Sequence, residues 1–309
     1  MKNLRLIGAC ALSAAFLLAV PLAHATDVDG PDDCQKPHED FGDAPECLPA
    51  YPSGVMGNFP TCTMICGPFG TMELACPPIS TPPGPTGFVR HIQPPTGYWL
   101  GCYPTPGGPM GIDTETDGKV SIMPVPALAP SKCSGIPTDC VEPAFGMFFS
   151  QDECYADGSD AGITAPVGFA ACAMSAVTFN VTDCPIATQR HVFLNICVDW
   201  NKDGDWNDNF ACATGCAYEW AVKNKDLFLV PGCSTLTSPL FLSGPFDGPG
   251  WMRISISDDP APPDYPWNGS VSLPGSSFRG GETEDYPVTI GHPTPARSAT
   301  WGRIKTLYR

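Results

Sequence analysis

Oxygen-bearing side chains recur along one short loop of the chain. Residues 199–208 read DWNKDGDWND, with a single glycine at Gly204 and tryptophans on either side of it. Carboxylate and amide oxygens are the ligands that Ca²⁺ prefers, at about 2.3–2.6 Å, and a glycine allows the backbone to turn sharply around the ion. The sequence therefore predicts a calcium loop, with the ligands Asp199, Asn201, Asp203, Asp205 and Asp208.

This loop differs from an EF-hand at its end. An EF-hand carries a bidentate glutamate at its twelfth position, and counting from Asp199 that position is Phe210. A further ligand must therefore come from another segment. The alternative is a polar hairpin in which Asp and Asn side chains accept hydrogen bonds from neighbouring backbone amides.

A second acidic segment lies near the end of the chain. Glu282, Glu284 and Asp285 supply carboxylates that would complete the coordination left open at the twelfth position. We therefore expect the two segments to meet around one cation. The alternative is that these acids pair with Arg253 or Arg279, as in surface ion pairs worth about 0–1 kcal/mol.

Two other acidic stretches have a similar pattern. Asp113, Glu115 and Asp117 precede a glycine, and Asp157 and Asp160 surround another. They are candidates for further calcium loops, but ordinary turn chemistry explains them equally well.

The elements that position these loops are expected to be short strands. The chain has 37 prolines and 32 glycines, which interrupt helices and favour strands joined by turns. Apolar patterning predicts strands over 169–182, 191–200, 218–230, 239–243, 251–257 and 285–290. The predicted fold is all-β, a β-sandwich of jelly-roll or immunoglobulin-like type with long disulfide-stapled loops.

Two of these strands alternate polar and apolar residues. Residues 253–257 read RISIS and residues 286–290 read YPVTI. Such alternation predicts strands with one face in the core and one in water.

The N-terminus has the pattern of a secretory signal peptide. Residues 1–25 combine a basic start, an apolar stretch and a small-residue cleavage site before Thr26. No later apolar run approaches the roughly 20 residues of a membrane helix. We therefore expect a secreted protein with no membrane contact after cleavage.

The cysteines agree with export. Without Cys10 in the signal peptide, 15 of the 16 cysteines remain, and such density in an exported chain predicts disulfides. Because the number is odd, at least one sulfur is free, reduced in the core or bonded to another chain. The C-x-x-x-C spacings at 62–66 and 212–216 suit zinc as an alternative, although neither has a second pair at zinc-ribbon spacing.

Charge is distributed unevenly. Removing two basic residues with the signal peptide leaves 14 basic against 32 acidic residues, a net charge of −18 that disfavours nucleic acid as a partner. The segment 292–309 contains four of the basic residues and no acid. Its apolar residues Trp301, Ile304, Leu307 and Tyr308 have helical spacing, so it is predicted to be a basic amphipathic tail.

Several segments together resemble the GEVED-domain proteins, a family of secreted bacterial surface proteins. The matching segments are residues 281–286 (GETEDY), the loop at 199–208, the strand starting at Arg253, the DFGDAP opening at 40–45, and the acidic stretches at 111–118 and 152–162. The resemblance implies an extracellular, non-catalytic β-sandwich. It divides the mature chain into a Pro/Cys-rich N-terminal part of the sandwich (26–163) and a GEVED-like part (164–291).

The sequence favours a structural protein over an enzyme. Serine hydrolase, zinc protease, P-loop and dinucleotide-binding motifs do not occur in it. We therefore expect a calcium-stabilised surface protein that self-associates into a fibre or layer, with the basic tail binding the acidic body of a neighbour. The alternative is a carbohydrate-binding or adhesin module that presents aromatic rings to a glycan. Its candidate rings are Tyr98, Trp99, Trp206, Trp220, Trp251, Tyr265 and Trp267.

Overall fold

The computed structural model describes twelve stretches of the chain. They are residues 39–40, 42, 44–61, 72–80, 87–92, 97–102, 140–142, 147–149, 162–163, 166–183, 189–270 and 277–291. The predicted signal peptide, the basic tail and the two further acidic loops at 113–118 and 157–160 lie outside these residues.

Strands dominate the described residues, and the prediction of an all-β fold is confirmed. The strands are β1 (Glu39–Asp40), β2 (Glu46–Pro49), β3 (Met56–Asn58), β4 (His91–Ile92), β5 (Tyr98–Leu100), β6 (Cys140–Glu142), β7 (Met147–Phe149), β8 (Val167–Ala170), β9 (Met174–Ser175), β10 (Thr178–Asp183), β11 (Arg190–Val198), β12 (Asn209–Cys212), β13 (Gly215–Tyr218), β14 (Val222–Leu229), β15 (Gly232–Thr237), β16 (Phe241–Leu242), β17 (Gly248–Ser257), β18 (Phe278–Arg279) and β19 (Glu282–Gly291). One four-residue helix, α1 (Tyr265–Asn268), interrupts them. Within the described stretches no helix has the length and apolar character needed to cross a bilayer.

A five-stranded sheet forms the centre of the fold. Its strand order is β14-β11-β17-β19-β8, antiparallel except for the pairing of β19 with β8. A second sheet has the order β15-β10-β5, and a third has the order β1-β4-β18. Strands from the first half of the chain thus pair with strands from the second half, as β5 does with β10 and β4 with β18.

One apolar core lies between the five-stranded sheet and the second sheet. Alternate residues of β11, including Leu194 and Ile196, face this core together with Ile254 from β17. Tyr98 and Phe179 contribute from the second sheet. The two sheets thus share one core, while the β-sandwich of jelly-roll or immunoglobulin-like type stays a prediction.

The opposite face of the five-stranded sheet is also buried. Trp251 of β17 packs there in a second apolar cluster with residues from 44–61 and from α1. The expectation of a wet face on the RISIS strand is therefore wrong, because Arg253, Ser255 and Ser257 are all buried. Segment 44–61 covers this face, and its Pro60 carbonyl accepts a hydrogen bond from Arg253 at 3.1 Å.

Polar side chains on this second buried face bind one another. The Ser255 hydroxyl lies 2.6 Å from both the Tyr265 and the Thr283 hydroxyl oxygens. Thr283 also contacts His91 Nε2 at 2.8 Å, and burial lowers the pKa of His91 to about 4. The histidine is therefore neutral near pH 7 and acts as a hydrogen-bonding core residue.

A buried ion pair joins β17 to β19. Arg253 donates two hydrogen bonds to Asp285, at 2.8 and 2.6 Å, in a bidentate arrangement. Burial alone would lower the pKa of Arg253, but the charge and hydrogen bonds of Asp285 raise it above its usual value. The alternative predicted for Asp285, pairing with Arg253, is what the structure shows, although the pair is buried rather than on the surface.

Three disulfides occur among the described residues: Cys76–Cys216, Cys102–Cys233 and Cys172–Cys212. Because Cys212 and Cys216 are both oxidised, the zinc alternative does not apply to this pair. Cys197 is a buried free thiol on β11. One sulfur is therefore reduced in the core, which is one of the options that the odd cysteine count predicts.

Removing the charge of Asp285 tests how much the buried pair contributes. The Asp285→Asn substitution keeps the side-chain shape but leaves Arg253 buried without an anion, which costs about 3–5 kcal/mol. We expect the free energy of unfolding, measured by denaturant titration, to fall by about that amount. Asp259→Asn is the matched control, because Asp259 forms an equally short pair with the exposed Arg279. Solvent screens that pair, so equal losses in the two variants would contradict this account.

Candidate metal centre

The acidic loop at 199–208 connects β11 to β12 and is anchored in both cores. The Asp199 amide donates to the Trp251 carbonyl oxygen at 3.0 Å, which ties the start of the loop to β17. Trp200 packs in the first core and Trp206 in the second, 4.3 Å from the ring of Phe59. The two tryptophans thus fix the loop on opposite sides of the central sheet.

The backbone of the loop turns where the sequence places its glycine. Lys202 and Gly204 have positive φ angles of 65° and 93°. A Cβ atom on Gly204 would lie 2.3 Å from the Met56 carbonyl oxygen of β3, so a larger residue would clash with backbone. The Asn58 amide donates to the Gly204 carbonyl oxygen at 2.7 Å, which binds β3 to the loop.

Asp199 is buried and organises the turn from inside. Its Oδ1 accepts a hydrogen bond from the Lys202 amide at 2.7 Å. Its Oδ2 accepts from the Gly204 amide at 2.9 Å and from the Tyr51 hydroxyl at 2.7 Å. Burial, followed by the charge of Asp199, raises the pKa of Tyr51 well above its usual value, so the phenol remains a donor.

The other oxygens of the loop are only partly satisfied. Asn201 donates to Asp208 Oδ2 at 2.7 Å and accepts from the Asp203 amide at 3.2 Å. Asp205 Oδ1 accepts from the Asn207 amide at 3.1 Å and from its Nδ2 at 2.7 Å. Asp205 Oδ2 and Asn207 Oδ1 are buried acceptors with no hydrogen-bond partner. Such oxygens are rare unless an ion or water binds them.

Two groups of carboxylates converge at the loop. Asp199, Asp203 and Glu219 form one, Asp203, Asp205 and Asp208 form the other, and within each group the ligand atoms lie within 4.8 Å of one another. These residues could hold a metal ion. Among the described residues, no lysine, arginine or histidine forms an ion pair with any of them. The donors are all oxygens, which suits a hard cation.

Glu219 is the ligand candidate that the sequence analysis missed. The β12–β13 hairpin pairs Asn209 with Tyr218, so the next residue returns to the loop. Glu219 accepts from the Trp200 amide at 2.9 Å and from the Asp208 amide at 3.0 Å. The turn at 213–214 indicates a hairpin that would return the chain to the loop. Sequence patterns instead placed Glu219 in a strand predicted over 218–230.

The electrostatics of the centre are those of crowded, buried acids. Burial and the charge of Asp203 raise the pKa of Asp199 well above its ordinary range and that of Asp205 to about 7. Burial and the charges of Asp203 and Asp205 raise the pKa of Asp208 to about 8. Burial and the charge of Asp199 raise the pKa of Glu219 well above its usual value. Without a cation, these four carboxylates therefore favour protonation.

The structure does not bring Glu282, Glu284 or Asp285 into either carboxylate group. The physical reason is the alternation of β19, because neighbouring residues of a strand point to opposite faces of a sheet. Glu282 and Glu284 lie on the side of the first core, whereas Asp285 lies on the side of the second with Arg253. The three carboxylates cannot converge on one ion, so the joint coordination predicted with the loop is not formed.

These three acids instead accept hydrogen bonds from backbone amides of the N-terminal part of the chain, residues 26–163. The Leu100 amide donates to Glu282 at 2.5 Å, the Gly162 amide to Glu284 at 3.1 Å, and the Ala44 amide to Asp285 at 2.6 Å. Irregular segments have few ladder partners for their N–H groups, and a buried N–H without an acceptor is costly. The acidic stretch of β19 thus holds the irregular first half onto the central sheet.

No protein-family model matches the chain, and no curated protein matches it. A cryo-EM reconstruction of E. coli alpha-2-macroglobulin in its native conformation is similar over 41% of this chain, with 17% identity and a TM-score of 0.20. The chain spans 6% of the length of that protein. At this TM-score the similarity indicates neither fold nor function, and the resemblance to GEVED-domain proteins stays a prediction.

The raised pKa values predict how the metal-free protein responds to pH. Unfolded aspartates titrate near 4, whereas Asp205 and Asp208 titrate at about 7 and about 8 in the fold. Between these values the folded state binds more protons, so its stability falls as pH rises. His91 has the opposite effect, but only below its unfolded pKa of about 6.5.

We therefore expect the thermal midpoint of protein stripped on a chelating resin to fall between pH 6.5 and 8.5. The Asp205→Asn, Asp208→Asn double variant should show a flatter dependence, since it lacks two of the four carboxylates whose pKa values are raised. A midpoint of the stripped wild-type protein that rises over this window would show that the carboxylates are already neutralised.

Proposed function

We propose that the protein is a secreted, non-enzymatic structural protein of the cell surface or extracellular space, stabilised by Ca²⁺. Asp199, Asn201, Asp203, Asp205 and Asp208 would bind the ion together with Glu219. The observation that carries the proposal is a set of five carboxylates, four of them buried, without a basic partner among the described residues. Buried charges of one sign require protonation or a cation.

The donor set favours Ca²⁺ over other common ions. Ca²⁺ accepts six to eight oxygens in flexible geometry, whereas Mg²⁺ requires a near-ideal octahedron and retains several waters. The loop offers carboxylate and amide oxygens from irregular backbone, with neither histidine nor thiolate. Zinc prefers those two ligand types.

The contacts of the centre support a structural role. Asp199 binds Tyr51 of the first half, Asp208 accepts from the Glu73 amide, and Glu219 accepts from Trp200 and Asp208 amides. The same carboxylates thus link four separate segments of the chain. An ion bound there would neutralise the carboxylates that make these links.

Export is supported by the cysteine chemistry and by the predicted signal peptide. Disulfides persist in oxidising compartments such as the extracellular space, and three are present in the described residues. Extracellular calcium modules bind with dissociation constants of about 10⁻⁴–10⁻³ M. The proposed resemblance to GEVED-domain surface proteins agrees with this setting.

The alternative function, carbohydrate binding or adhesion, has less support. All the aromatic rings that the sequence offers as a glycan platform are buried: Tyr98, Trp99, Trp206, Trp220, Trp251, Tyr265 and Trp267. A glycan stacks on an exposed ring face, so a sugar site on this chain would need other residues.

Calcium should stabilise the folded protein. A ligand that binds only the folded state adds about 2.7 kcal/mol at one hundred times its dissociation constant. We expect the thermal midpoint at pH 7.5 to rise with CaCl₂ and to rise much less with MgCl₂. It should return to its calcium-free value when EGTA is added.

Glu219→Gln should weaken this response, because it removes one proposed ligand. Asp226→Asn is the matched control, since Asp226 is an exposed acid paired only with His191 among the described charges. An unchanged midpoint in wild-type protein across micromolar to millimolar calcium would refute the proposal.

We extend the proposal to self-association into a fibre or surface layer. Among the described strands, β14 and β15 end their sheets, and an edge strand can pair with another chain. Phe228 of β14 and Val230, which follows that strand, are exposed. The acidic body and the basic tail are complementary in charge, and a head-to-tail contact that does not close forms a filament.

Negative-stain microscopy of the mature protein at millimolar calcium tests the assembly. We expect filaments or sheets for the intact chain and their loss when residues 297–309 are deleted. Filaments that persist after the deletion would show that the tail does not take part in the contact between copies. Dispersed particles from the intact chain would contradict self-assembly.

A further inference from the structure

We infer that the centre binds two divalent cations that share the Asp203 carboxylate as a bridge. The inference rests on the proposed calcium binding and specifies its stoichiometry. Asp199 and Glu219 would hold the first ion, and Asp205 and Asp208 the second.

The arrangement of the carboxylates gives the first reason. The two groups have only Asp203 in common. Asp199 is the first residue of the loop and Glu219 follows the β12–β13 hairpin, whereas Asp205 and Asp208 come from the second half of the loop. A carboxylate has two oxygens that can act as metal ligands, so Asp203, which belongs to both groups, can bridge two ions.

Charge balance gives the second reason. In their ionised form the five carboxylates carry five negative charges, so binding of one divalent ion leaves three to be neutralised by protonation or a second cation, and binding of two ions leaves one. Four of the five residues are buried, and no described basic side chain pairs with them. Uncompensated charge in such a site is expensive, which favours the second ion.

Unpartnered oxygens give the third reason and locate the second ion. Asp205 Oδ2 and Asn207 Oδ1 are buried and accept no hydrogen bond. The two side chains are linked by a 2.7 Å hydrogen bond from Asn207 Nδ2 to Asp205 Oδ1. An ion held only by Asp199 and Glu219 would leave these oxygens with neither a donor nor a cation. An ion held only by Asp205 and Asp208 would leave Asp199 and Glu219 as adjacent buried anions.

Asn207 therefore gains a specific role that the sequence analysis did not assign. It is the next position in the alternation of Asp199, Asn201, Asp203 and Asp205, and its Oδ1 is a neutral, unpartnered acceptor beside Asp205. We assign it as a ligand of the second ion. The Asn207 Nδ2 donates to Asp205 Oδ1, so the unpartnered Asp205 Oδ2 is the oxygen that we propose binds the ion.

The test is the number of calcium ions per chain. Full-length mature protein is stripped on a chelating resin and titrated with CaCl₂ alone, and the bound metal is counted by native mass spectrometry and by elemental analysis after dialysis. We expect two ions per folded chain. Asp205→Asn and Glu219→Gln should each weaken one ion, on opposite sides of the bridge. Asp203→Asn should weaken both by at least about ten-fold, since even partners outside the first ligand shell change affinity by 10–100-fold.

The outcomes separate the two proposals. One ion per wild-type chain, with a calcium-dependent rise in midpoint, overturns the two-ion centre and leaves the calcium-stabilised scaffold in place. No bound ion and no rise overturn both. Two ions that remain tight in Asp203→Asn overturn the bridge. The wild-type count decides the stoichiometry even if a variant fails to fold, and Asp226→Asn should retain both ions.

Discussion

A carboxylate removed from water must find hydrogen-bond donors, a basic partner or a cation, and this requirement organises the chain. It is met in two ways on the central sheet. On β19, Glu282, Glu284 and Asp285 receive backbone N–H groups from the irregular first half, and Asp285 also receives Arg253. In the loop after β11, backbone amides alone do not balance the charge. The first arrangement is complete within the chain, whereas in the second the carboxylates need protonation or the proposed ion.

The same requirement explains how a chain rich in proline and glycine forms two cores. Segments such as 44–61 have little regular pairing, so their amides must be satisfied by side chains. The Thr61 amide donates to Glu46 at 2.7 Å, and the Ala44 amide donates to Asp285 of β19 at 2.6 Å. Carboxylates from both halves thus replace the sheet ladder that these segments lack. These hydrogen bonds hold segment 44–61 over β17, one face of which would otherwise be exposed to water.

Sequence patterns predicted much of the second half of the fold, because its strands obey simple periodicity. The apolar residues of β11, β17 and β19 alternate, and each predicted span overlaps the observed strand, although β17 and β19 begin three residues earlier than predicted. The same pattern misjudged β17, since alternation shows which residues share a face but not what covers that face. Ser255 and Arg253 were expected in water, yet distant segments and α1 bury them.

The candidate ligands that lie close together in the sequence were predicted, whereas Glu219, whose position depends on how two strands pair, was missed. The alternating acids at 199–205 come from one loop, so their spacing is sufficient to bring them together. Glu219 reaches the loop only through the β12–β13 register, which the sequence marks weakly. The assignment of Glu282 and Glu284 failed for a related reason: proximity of two segments does not determine which face of a strand a side chain occupies.

The disulfides and the proposed ions act on the same element. Cys212 is the last residue of β12 and pairs with Cys172, while Cys216 of β13 pairs with Cys76. The hairpin that returns Glu219 to the loop is therefore covalently fixed on both strands. Because the hairpin is fixed before an ion binds, less conformational entropy is lost on binding. The proposed calcium site would thus be prepared without the glutamate that an EF-hand carries at its twelfth position, where Phe210 packs against Phe246 in the core instead.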